Sequence, residues 1–391
     1  MTRPKTWTLL FGGVLLLRIL VVFAFPVPPT ADAADYDAIA RSLVAGEGFP
    51  GAFRPPLYPM FVAGVYGVFG SHTGAVYALQ ALLDAGTCLI VAVWALRRFG
   101  ETTALWTLVF AGLSMSALAS VRILLSECLA TFLLTASLVS FDELARSELK
   151  PWKLVWTGAL FGLLTLTRGI MLLFPFALLP FLWFRGASTR TKFAGAMLLV
   201  ASYGLALSPW LVRNSNAVGA PVLTTQVGIT FYSSHFRNDG QPYGVLTEDV
   251  VTREASRLSA AAGSRYLSAY TLERLGTEPG IAFSAYPLKL LSLWAPFDWE
   301  VLGGGRLNVT YLLTLLFAGV GAVRVLRRDP RTMALVLLPL LYLSLMAFPF
   351  YGSPRFRLPA ELMLAPLAAC GLVCVIRRSK LREPERRANP L

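Results

Sequence analysis

The chain has 391 residues, of which 55% are hydrophobic and 15% are charged, and its formal net charge is +13. Soluble globular proteins have about 45–50% apolar and about 25% charged residues. This difference, with a mean hydropathy of +0.61, excludes a soluble enzyme, a coiled coil and a disordered protein. Runs of about twenty apolar residues recur along the chain and predict an all-α, polytopic membrane protein.

The first apolar run resembles a signal peptide, because basic residues precede it and small residues follow it. It is longer than a usual signal core of about 7–15 residues, and it has Arg18 at its middle. We therefore predict an uncleaved first helix, with Arg18 paired inside the bundle with Asp84 or Glu127. The predicted spans are ten: residues 7–27, 75–96, 102–121, 124–144, 152–167, 170–185, 192–212, 308–326, 332–350 and 358–376.

The apolar run 57–69 determines the predicted topology. At about 13 residues it is too short to cross a hydrocarbon core of about 30 Å. If it lies in the membrane interface, the basic clusters between the spans all fall on one side. The positive-inside rule then places both termini in the cytoplasm and makes this run an external interfacial helix. The positive charge is therefore a topology signal, and it does not indicate a nucleic-acid partner.

Four regions follow from this topology. Residues 1–212 form a membrane module whose first external loop is 28–74, and 213–307 form a second external loop with amphipathic helices, one of them over 286–294. Residues 308–376 form the C-terminal spans, and 377–391 form a basic cytoplasmic tail. External loops of this kind vary most in sequence and often carry binding residues, so we expect the second loop to select the acceptor.

Ionisable side chains near membrane depth are costly, so they are candidates for function. With this topology, several acids and arginines converge at the outer ends of the helices. An arginine fork binds two phosphate oxygens at once, and a carboxylate can act as general base toward a hydroxyl. Together they could displace a lipid phosphate from a sugar carbon. The structural alternative is that the arginines anchor lipid headgroups and the acids are solvated loop residues.

Six segments in chain order carry a resemblance to a known family. The sequence resembles GT-C glycosyltransferases, in particular the bacterial branch related to protein O-mannosyltransferases and lipid A aminoarabinose transferases. This resemblance implies a GT-C fold of about ten spans with two external interfacial helices in the first loop. The segments are 32–59, with Asp32, Tyr36 and Arg54-Pro-Pro-Leu-Tyr-Pro59; Leu125–Glu127; Leu166–Arg168; Ser208–Asn214 with Gly219; Lys289–Trp294; and Pro354–Pro359.

The resemblance implies an inverting transfer of sugar from a polyprenyl monophosphate donor, on the outer side of a bacterial cytoplasmic membrane. The acceptor hydroxyl would belong to a lipid, a polysaccharide or a protein. Asp32 matches the family's catalytic aspartate, which stands four residues before Tyr36. The family often has a second acid beside it, but this chain has Ala33, so Asp35 is an alternative base. The structural alternative for Asp32 is an N-cap of a helix over 33–45.

The other predicted site residues also follow from the resemblance. Arg54 occupies the position of a basic residue that faces the donor phosphate, and one or two of Arg168, Arg213, Arg355 and Arg357 are expected to share that role. Contacts to substrate are predicted for Tyr36, Tyr58, Glu127 and Lys289. A buried ion pair is the alternative role for Glu127. His235, in the second external loop, is either an acceptor-site residue or an ordinary loop residue.

The mechanism needs no cofactor, because a phosphate held by arginines leaves with little acid assistance. A divalent metal stays an open alternative, since the scattered acids do not decide it. The alternative functions are a transporter or flippase of a lipid-linked saccharide and a non-catalytic scaffold. A transporter predicts internal repeats and broken helices at mid-membrane, and the sequence has no evident repeat.

Overall fold

The computed structural model describes residues 4–25, 27–184, 188–236, 249–298 and 305–387. The first half of the chain is helical and has two 3₁₀ segments, Gly169–Met171 and Leu179–Phe184. Its helices are α1 (Pro4–Ala24), α2 (Asp32–Val44), α3 (Leu57–Phe69), α4 (Thr73–Phe99), α5 (Glu101–Gly112), α6 (Met115–Ser120), α7 (Glu127–Arg146), α8 (Pro151–Thr167), α9 (Phe174–Leu178) and α10 (Thr189–Val218).

The second half is also helical, apart from two short antiparallel strands, β1 (Phe297–Asp298) and β2 (Arg306–Leu307). A 3₁₀ turn, Leu362–Leu364, joins the last two helices. The helices are α11 (Gln226–Ser233), α12 (Val250–Ser256), α13 (Ala260–Thr277), α14 (Gly280–Trp294), α15 (Val309–Arg328), α16 (Pro330–Met346), α17 (Pro354–Glu361) and α18 (Ala365–Arg387).

The predicted all-α, polytopic class is confirmed, and the chain is a multi-pass membrane protein. By length and composition, six helical stretches in the described ranges can cross a membrane: α1, α4, α7, α10, α15 and Pro354–Arg377. Leu57–Phe69, Gly169–Trp183 and Pro330–Met346 are shorter apolar helices. The total of ten spans stays a prediction.

Two predicted spans are interrupted. The span over 102–121 breaks between α5 and α6, where the Ser114 hydroxyl caps α6 by accepting from the Ala117 amide. The span over 170–185 contains Pro175 and Pro180, each without an amide hydrogen, and it consists of α9 flanked by 3₁₀ segments. Proline removes a helical hydrogen bond and clashes with the preceding turn, which accounts for the irregular backbone here.

The segment 28–74, predicted as the first external loop, contains two helices, α2 and α3, and α3 covers the predicted interfacial run. They pack through Tyr36 and Tyr58, whose ring centroids are 4.9 Å apart and nearly perpendicular. Tyr58 also donates to the Gln80 side-chain oxygen at 2.7 Å, and the Gln80 amide donates to the carbonyls of Val121 and Ile123. These bonds attach α2 and α3 to α4 and to the segment before α7.

A buried ion pair joins α1 to α4, beside the end of α5. The Arg18 guanidinium has no exposed surface and pairs with Asp84 of α4, so the predicted pairing of Arg18 inside the bundle is confirmed. Arg18 also donates to the Gly112 carbonyl of α5 at 2.9 Å and to Cys88 Sγ at 3.2 Å. Charge and hydrogen bonds therefore hold α1 against α4 and α5 where water is excluded.

Helices α15 and α18 approach closely through facing glycines. A Cβ on Gly321 would lie 1.9 Å from the Leu367 carbonyl oxygen, and a Cβ on Gly371 would lie 1.9 Å from the Phe317 carbonyl oxygen. Small residues permit such contact, on which helix association within a membrane depends.

Gly321→Ala is expected to lower the free energy of unfolding by about 1–3 kcal/mol, since the added methyl must push the helices apart. The measurement is unfolding by SDS titration in mixed micelles. Gly319→Ala, on the same helix with no atom within 4 Å of its Cβ, is the matched control. Equal stabilities of the two variants would contradict the close packing.

Candidate functional site

Helix ends bring six charged side chains together on one side of the bundle. Asp32 and Asp35 lie in the first turn of α2, Glu127 is the first residue of α7, and Arg355 is the second residue of α17. Arg168 follows the end of α8, and Arg54 lies just before α3. The partial positive charge of a helix N-terminus favours carboxylates at the positions of Asp32 and Glu127.

Arg54 bridges the two aspartates of α2. Its Nη2 lies 2.6 Å from Asp32 Oδ1 and 2.7 Å from Asp35 Oδ2. Arg54 is 5% exposed, whereas the Asp35 side chain is 52% exposed and does not line the cavity described below. The guanidinium also lies over the Tyr36 ring, 5.3 Å from its centroid.

Arg355 connects Asp32 to Glu127. Its Nη1 lies 3.1 Å from Asp32 Oδ2, and its Nε donates to Glu127 Oε1 at 2.6 Å. Arg168 Nη1 lies 3.2 Å from the same Glu127 oxygen. Acids and arginines therefore alternate in one chain of contacts, named here the ionic chain: Asp35, Arg54, Asp32, Arg355, Glu127 and Arg168.

The arginines keep Asp32 ionised. Burial by itself would raise the pKa of Asp32, but the positive charges of Arg54 and Arg355 and their hydrogen bonds outweigh burial and hold this pKa below its ordinary value. A carboxylate with a lowered pKa is a weak base. Asp32 can act as a stronger base only when other groups take over its arginine contacts.

Three buried polar atoms of the ionic chain have no hydrogen-bond partner among the described residues. They are Arg54 Nε, Arg168 Nη1 and Glu127 Oε2. Arg168 Nη1 is close to Glu127, but the two groups do not align as donor and acceptor. Buried polar groups are normally satisfied, so each such atom requires an explanation. The two unused guanidinium nitrogens indicate a capacity to bind an additional anion.

The ionic chain borders a cavity of about 350 Å³ whose lining combines charged and polar side chains with apolar ones. Ser126 and Gln226 join three arginines and Asp32 in the polar part of the lining, where Gln226 Oε1 lies 3.5 Å from Arg54 Nη1. The apolar wall consists of Ile170, Leu172, Leu173, Val227, Tyr342, Met346, Phe350 and Phe356. The cavity therefore suits a ligand with an anionic head and an apolar tail.

The cavity brings together five of the predicted site residues: Asp32, Tyr36, Arg54, Arg168 and Arg355. Glu127 is 2% exposed and reaches this group through its two arginines. Arg213, Tyr58 and Lys289 do not line the cavity. Arg357 is likewise away from it, fully buried against the Tyr311 ring and paired with Glu361.

Arg213 instead supports the segment that leads to Arg54. Its guanidinium donates to the carbonyls of Phe49 and Gly51 at 2.5 Å, and it lies over the rings of Phe49 and Trp210. Trp210 precedes Arg213 by three residues, so the two share one face of α10. Arg213 thus acts on Arg54 through the backbone of 49–53.

Arg213→Gln is expected to loosen this segment, because glutamine cannot reach both carbonyls or stack as a cation. Charged hydrogen bonds contribute about 1.5–3 kcal/mol each, so amide hydrogen exchange in residues 47–56 should rise by about tenfold or more. Mass spectrometry of peptides from the detergent-purified protein measures this exchange. Arg190→Gln, at an exposed position of the same helix, should leave it unchanged. Unchanged exchange in both variants would contradict the support role.

Sequence reasoning missed Ser126 and Gln226 in the polar part of the cavity lining. Ser126 lies directly before Glu127 in a segment that was already recognised, so its position could have been inferred. Gln226 has no such signal, because it begins a helix after an irregular segment. The structure also excludes Asp32 as an N-cap: α2 begins at Asp32, Ala31 precedes it with φ 48°, and no side chain caps the helix.

The described residues contain no group of three His, Cys, Asp or Glu side chains that could hold a metal ion. In the ionic chain an arginine separates each carboxylate from the next. The three carboxylates and three arginines of the ionic chain balance in charge, and the guanidinium atoms that could receive an anion are Arg54 Nε and Arg168 Nη1.

Comparisons with known proteins identify the fold of the chain. The family model for dolichyl-phosphate-mannose-protein mannosyltransferase matches residues 53–212, which is less than half of the chain. No curated protein sequence matches the chain. Archaeal oligosaccharyltransferase AglB from Archaeoglobus fulgidus, in complex with an inhibitory peptide and a dolichol-phosphate, is 14% identical with a TM-score of 0.56. The alignment covers 99% of this chain and 52% of AglB.

The apo form of the Archaeoglobus fulgidus oligosaccharyltransferase gives the same TM-score, 0.56, at 15% identity, and covers 99% of this chain and 53% of that protein. ArnT from Cupriavidus metallidurans in the apo state is 14% identical, with a TM-score of 0.46. The alignment covers 95% of this chain and 78% of ArnT, but a TM-score of this size does not support an inference. The chain therefore has the GT-C fold, and the resemblance to the GT-C superfamily is confirmed at the level of the fold. The chain spans about half the length of the AglB structures that it matches.

Proposed function

We propose that the chain is a membrane glycosyltransferase that moves a sugar from a polyprenyl monophosphate to an acceptor hydroxyl. The observation that carries this proposal is the cavity, whose lining combines three arginines with many apolar side chains. The AglB relative binds a dolichol-phosphate and an inhibitory peptide, and the matched family model describes a transferase that uses a lipid-phosphate sugar. Fold alone does not define activity, so the proposal depends on the site.

The donor enters with its phosphate among the arginines and its prenyl chain along the apolar wall. The phosphate binds Arg54, Arg168 and Arg355, whose planar forks suit paired oxygens. It competes with Asp32 for Arg54 and Arg355, because these two arginines now hold both Asp32 oxygens. Donor binding thus releases Asp32 and raises its basicity at the time when a base is needed.

The released Asp32 accepts the proton of the acceptor hydroxyl. The hydroxyl oxygen forms a bond to the anomeric carbon as the bond from that carbon to the phosphate oxygen breaks. The phosphate leaves with the electron pair, and the arginines stabilise its added charge. A single displacement of this kind inverts the anomeric carbon. Asp35 is the weaker candidate base, since it contacts Arg54 alone and lies outside the cavity.

The resemblance supports a location in a bacterial cytoplasmic membrane, and the positive-inside pattern supports an orientation with this site on the outer side and both termini in the cytoplasm. The acceptor is a lipid, a polysaccharide or a protein, and α11–α14 lie where they could select it. The mechanism uses no metal, and we expect EDTA to leave the rate unchanged.

Turnover of radiolabelled polyprenyl-phosphate sugars by membranes that contain the chain tests the proposal. Donors with mannose, glucose, galactose, galacturonate and arabinose heads are compared with membranes that lack the chain. Release of sugar from one donor, together with a product of inverted configuration, is the expected result. If no donor reacts with any acceptor mixture, the transferase proposal fails, and translocation of lipid-linked sugar becomes the function to measure.

A further inference from the structure

A seven-residue connector, 347–353, links α16 to α17 and forms part of the cavity wall. Phe350, within the connector, lines the cavity, and so do Arg355 and Phe356, which follow it in α17. Ring contacts place Phe350 near Phe231 of α11, with centroids 6.4 Å apart. The position of Arg355 in the ionic chain therefore depends on how this connector is held.

Side chains of two external helices hold the connector by its carbonyl groups. Lys289 of α14 donates to the Phe348 carbonyl at 3.0 Å, and Ser234, at the end of α11, donates to the Pro349 carbonyl at 2.9 Å. The backbone of α14 also packs tightly here, since a Cβ on Gly352 would lie 1.7 Å from the Lys289 carbonyl oxygen.

Lys289 is an unusual residue for this position. It is 4% exposed, and no described carboxylate forms an ion pair with it. Burial lowers the pKa of Lys289 to about 8. Burying an ammonium group without a counterion is costly, so the presence of Lys289 at this position indicates a role beyond packing. Its second polar contact is with His235 Nε2, at 3.4 Å.

His235 can accept this contact only when it is neutral. Its Nδ1 lies 3.0 Å from the Phe231 carbonyl, so a hydrogen on Nδ1 leaves the Nε2 lone pair for Lys289. Burial and the nearby Lys289 lower the pKa of His235, and the hydrogen bonds of its ring with the carbonyls of Phe231 and Phe348 oppose this shift only in part. The other titratable groups on these elements are Tyr232, Tyr286 and Tyr351, and no described carboxylate pairs with His235. Protonation of His235 would place two cations against each other.

We propose that Lys289 and His235 are positioning residues, which hold the 347–353 connector so that Phe350 and Arg355 keep their places in the cavity. They hold it only while His235 is neutral. The consequence for donor affinity rests on the proposed function, whereas the consequence for the connector does not. Neither residue lines the cavity, so both act through the backbone that Lys289 binds.

Hydrogen exchange of peptides covering 344–358 in the purified full-length chain tests the proposal directly. Lys289→Met should raise connector exchange by about tenfold near pH 7.5, because it removes a charged hydrogen bond. His235→Gln should behave like the wild type there, since a glutamine oxygen can accept from Lys289. Lys150→Met, at an exposed position before α8, is the matched control and should change nothing.

The pH dependence separates positioning from a merely structural role. After correction for intrinsic rates, connector exchange in the wild type should rise as the pH falls below about 6.5, because burial and Lys289 hold the pKa of His235 below this ordinary histidine value. It should not rise in His235→Gln, which cannot be protonated. If Lys289→Met leaves the exchange unchanged, or if His235→Gln follows the same pH course as the wild type, the proposal is overturned. Because His235→Gln is conservative, it keeps the test valid if Lys289→Met fails to fold.

Affinity for undecaprenyl monophosphate, measured on the same proteins, gives the second readout. We expect Lys289→Met to weaken binding by about tenfold, which corresponds to about 1.4 kcal/mol. Equal binding by Lys289→Met and the wild type would show that the connector does not control the phosphate site. If the wild type itself does not bind this lipid, the proposed function fails, and hydrogen exchange alone still decides the positioning role.

Discussion

Asp32→Asn is expected to lower sugar transfer by roughly 10²–10⁴-fold, the range that a positioned general base contributes. Asparagine has nearly the same shape and can still accept from Arg54 through its oxygen, but it cannot take the hydroxyl proton. The protein should therefore fold and bind the donor. Initial rates with the donor that the wild type uses, in membranes with equal amounts of each protein, measure this loss.

Two neighbouring aspartates on α2 provide the comparison. Asp35→Asn removes one exposed contact to Arg54 and should change the rate by less than about tenfold, because exposed pairs contribute about 0–1 kcal/mol. Asp37→Asn, whose carboxylate contacts Arg41 and Tyr66 away from the cavity, should have a similarly small effect. If Asp35→Asn loses more activity than Asp32→Asn, the base has been assigned to the wrong aspartate.

Asp84→Leu is expected to lower the free energy of unfolding by about 3–5 kcal/mol, because Arg18 would keep its charge inside the bundle without a counterion. The remaining contacts of Arg18 are carbonyls and a thiol, and these do not neutralise it. SDS-induced unfolding in mixed micelles, together with the fraction of monodisperse protein after extraction, measures the effect.

The double variant Arg18→Met, Asp84→Leu should recover most of this stability, since removing both charges leaves an apolar contact between α1 and α4. A double variant as unstable as Asp84→Leu would mean that packing volume, and not the unpaired charge, causes the loss. Asp37→Asn, which lies outside the membrane bundle, controls for a general effect of removing a carboxylate.

Local sequence was sufficient to place Asp32, Tyr36 and Arg54 in the segment between α1 and α3 and to give α3 its bounds, because spacing and helix length are short-range properties. Which arginines reach the cavity was not predictable in this way. Arg213 and Arg355 both lie near the end of a helix, but Arg213 turns toward Trp210 and the carbonyls of residues 49 and 51. The direction of a long side chain at a helix end depends on its tertiary neighbours.

The interruptions of two predicted spans were also not predictable from hydropathy. The segments 102–121 and 170–185 are continuously apolar, and hydropathy carries no information about a helix cap at Ser114 or about 3₁₀ turns. The prolines at 175 and 180 were visible in the sequence and were the available signal. Interruptions of this kind are tolerated at membrane depth only where neighbouring helices satisfy the freed backbone groups.

Ala31, with φ 48°, is the only non-glycine residue with positive φ in the described ranges, and it directly precedes Asp32. Such a conformation costs on the order of 1–3 kcal/mol and persists only when surrounding contacts enforce it. Backbone bonds to the Ala31 carbonyl in the first turn of α2, together with the bonds from Arg54 and Arg355 to Asp32, are contacts that can do so. Before the donor binds, the entry of the chain into α2 therefore depends on two arginines that are distant from it in sequence. In this way correct assembly of the bundle becomes a condition for placing the base.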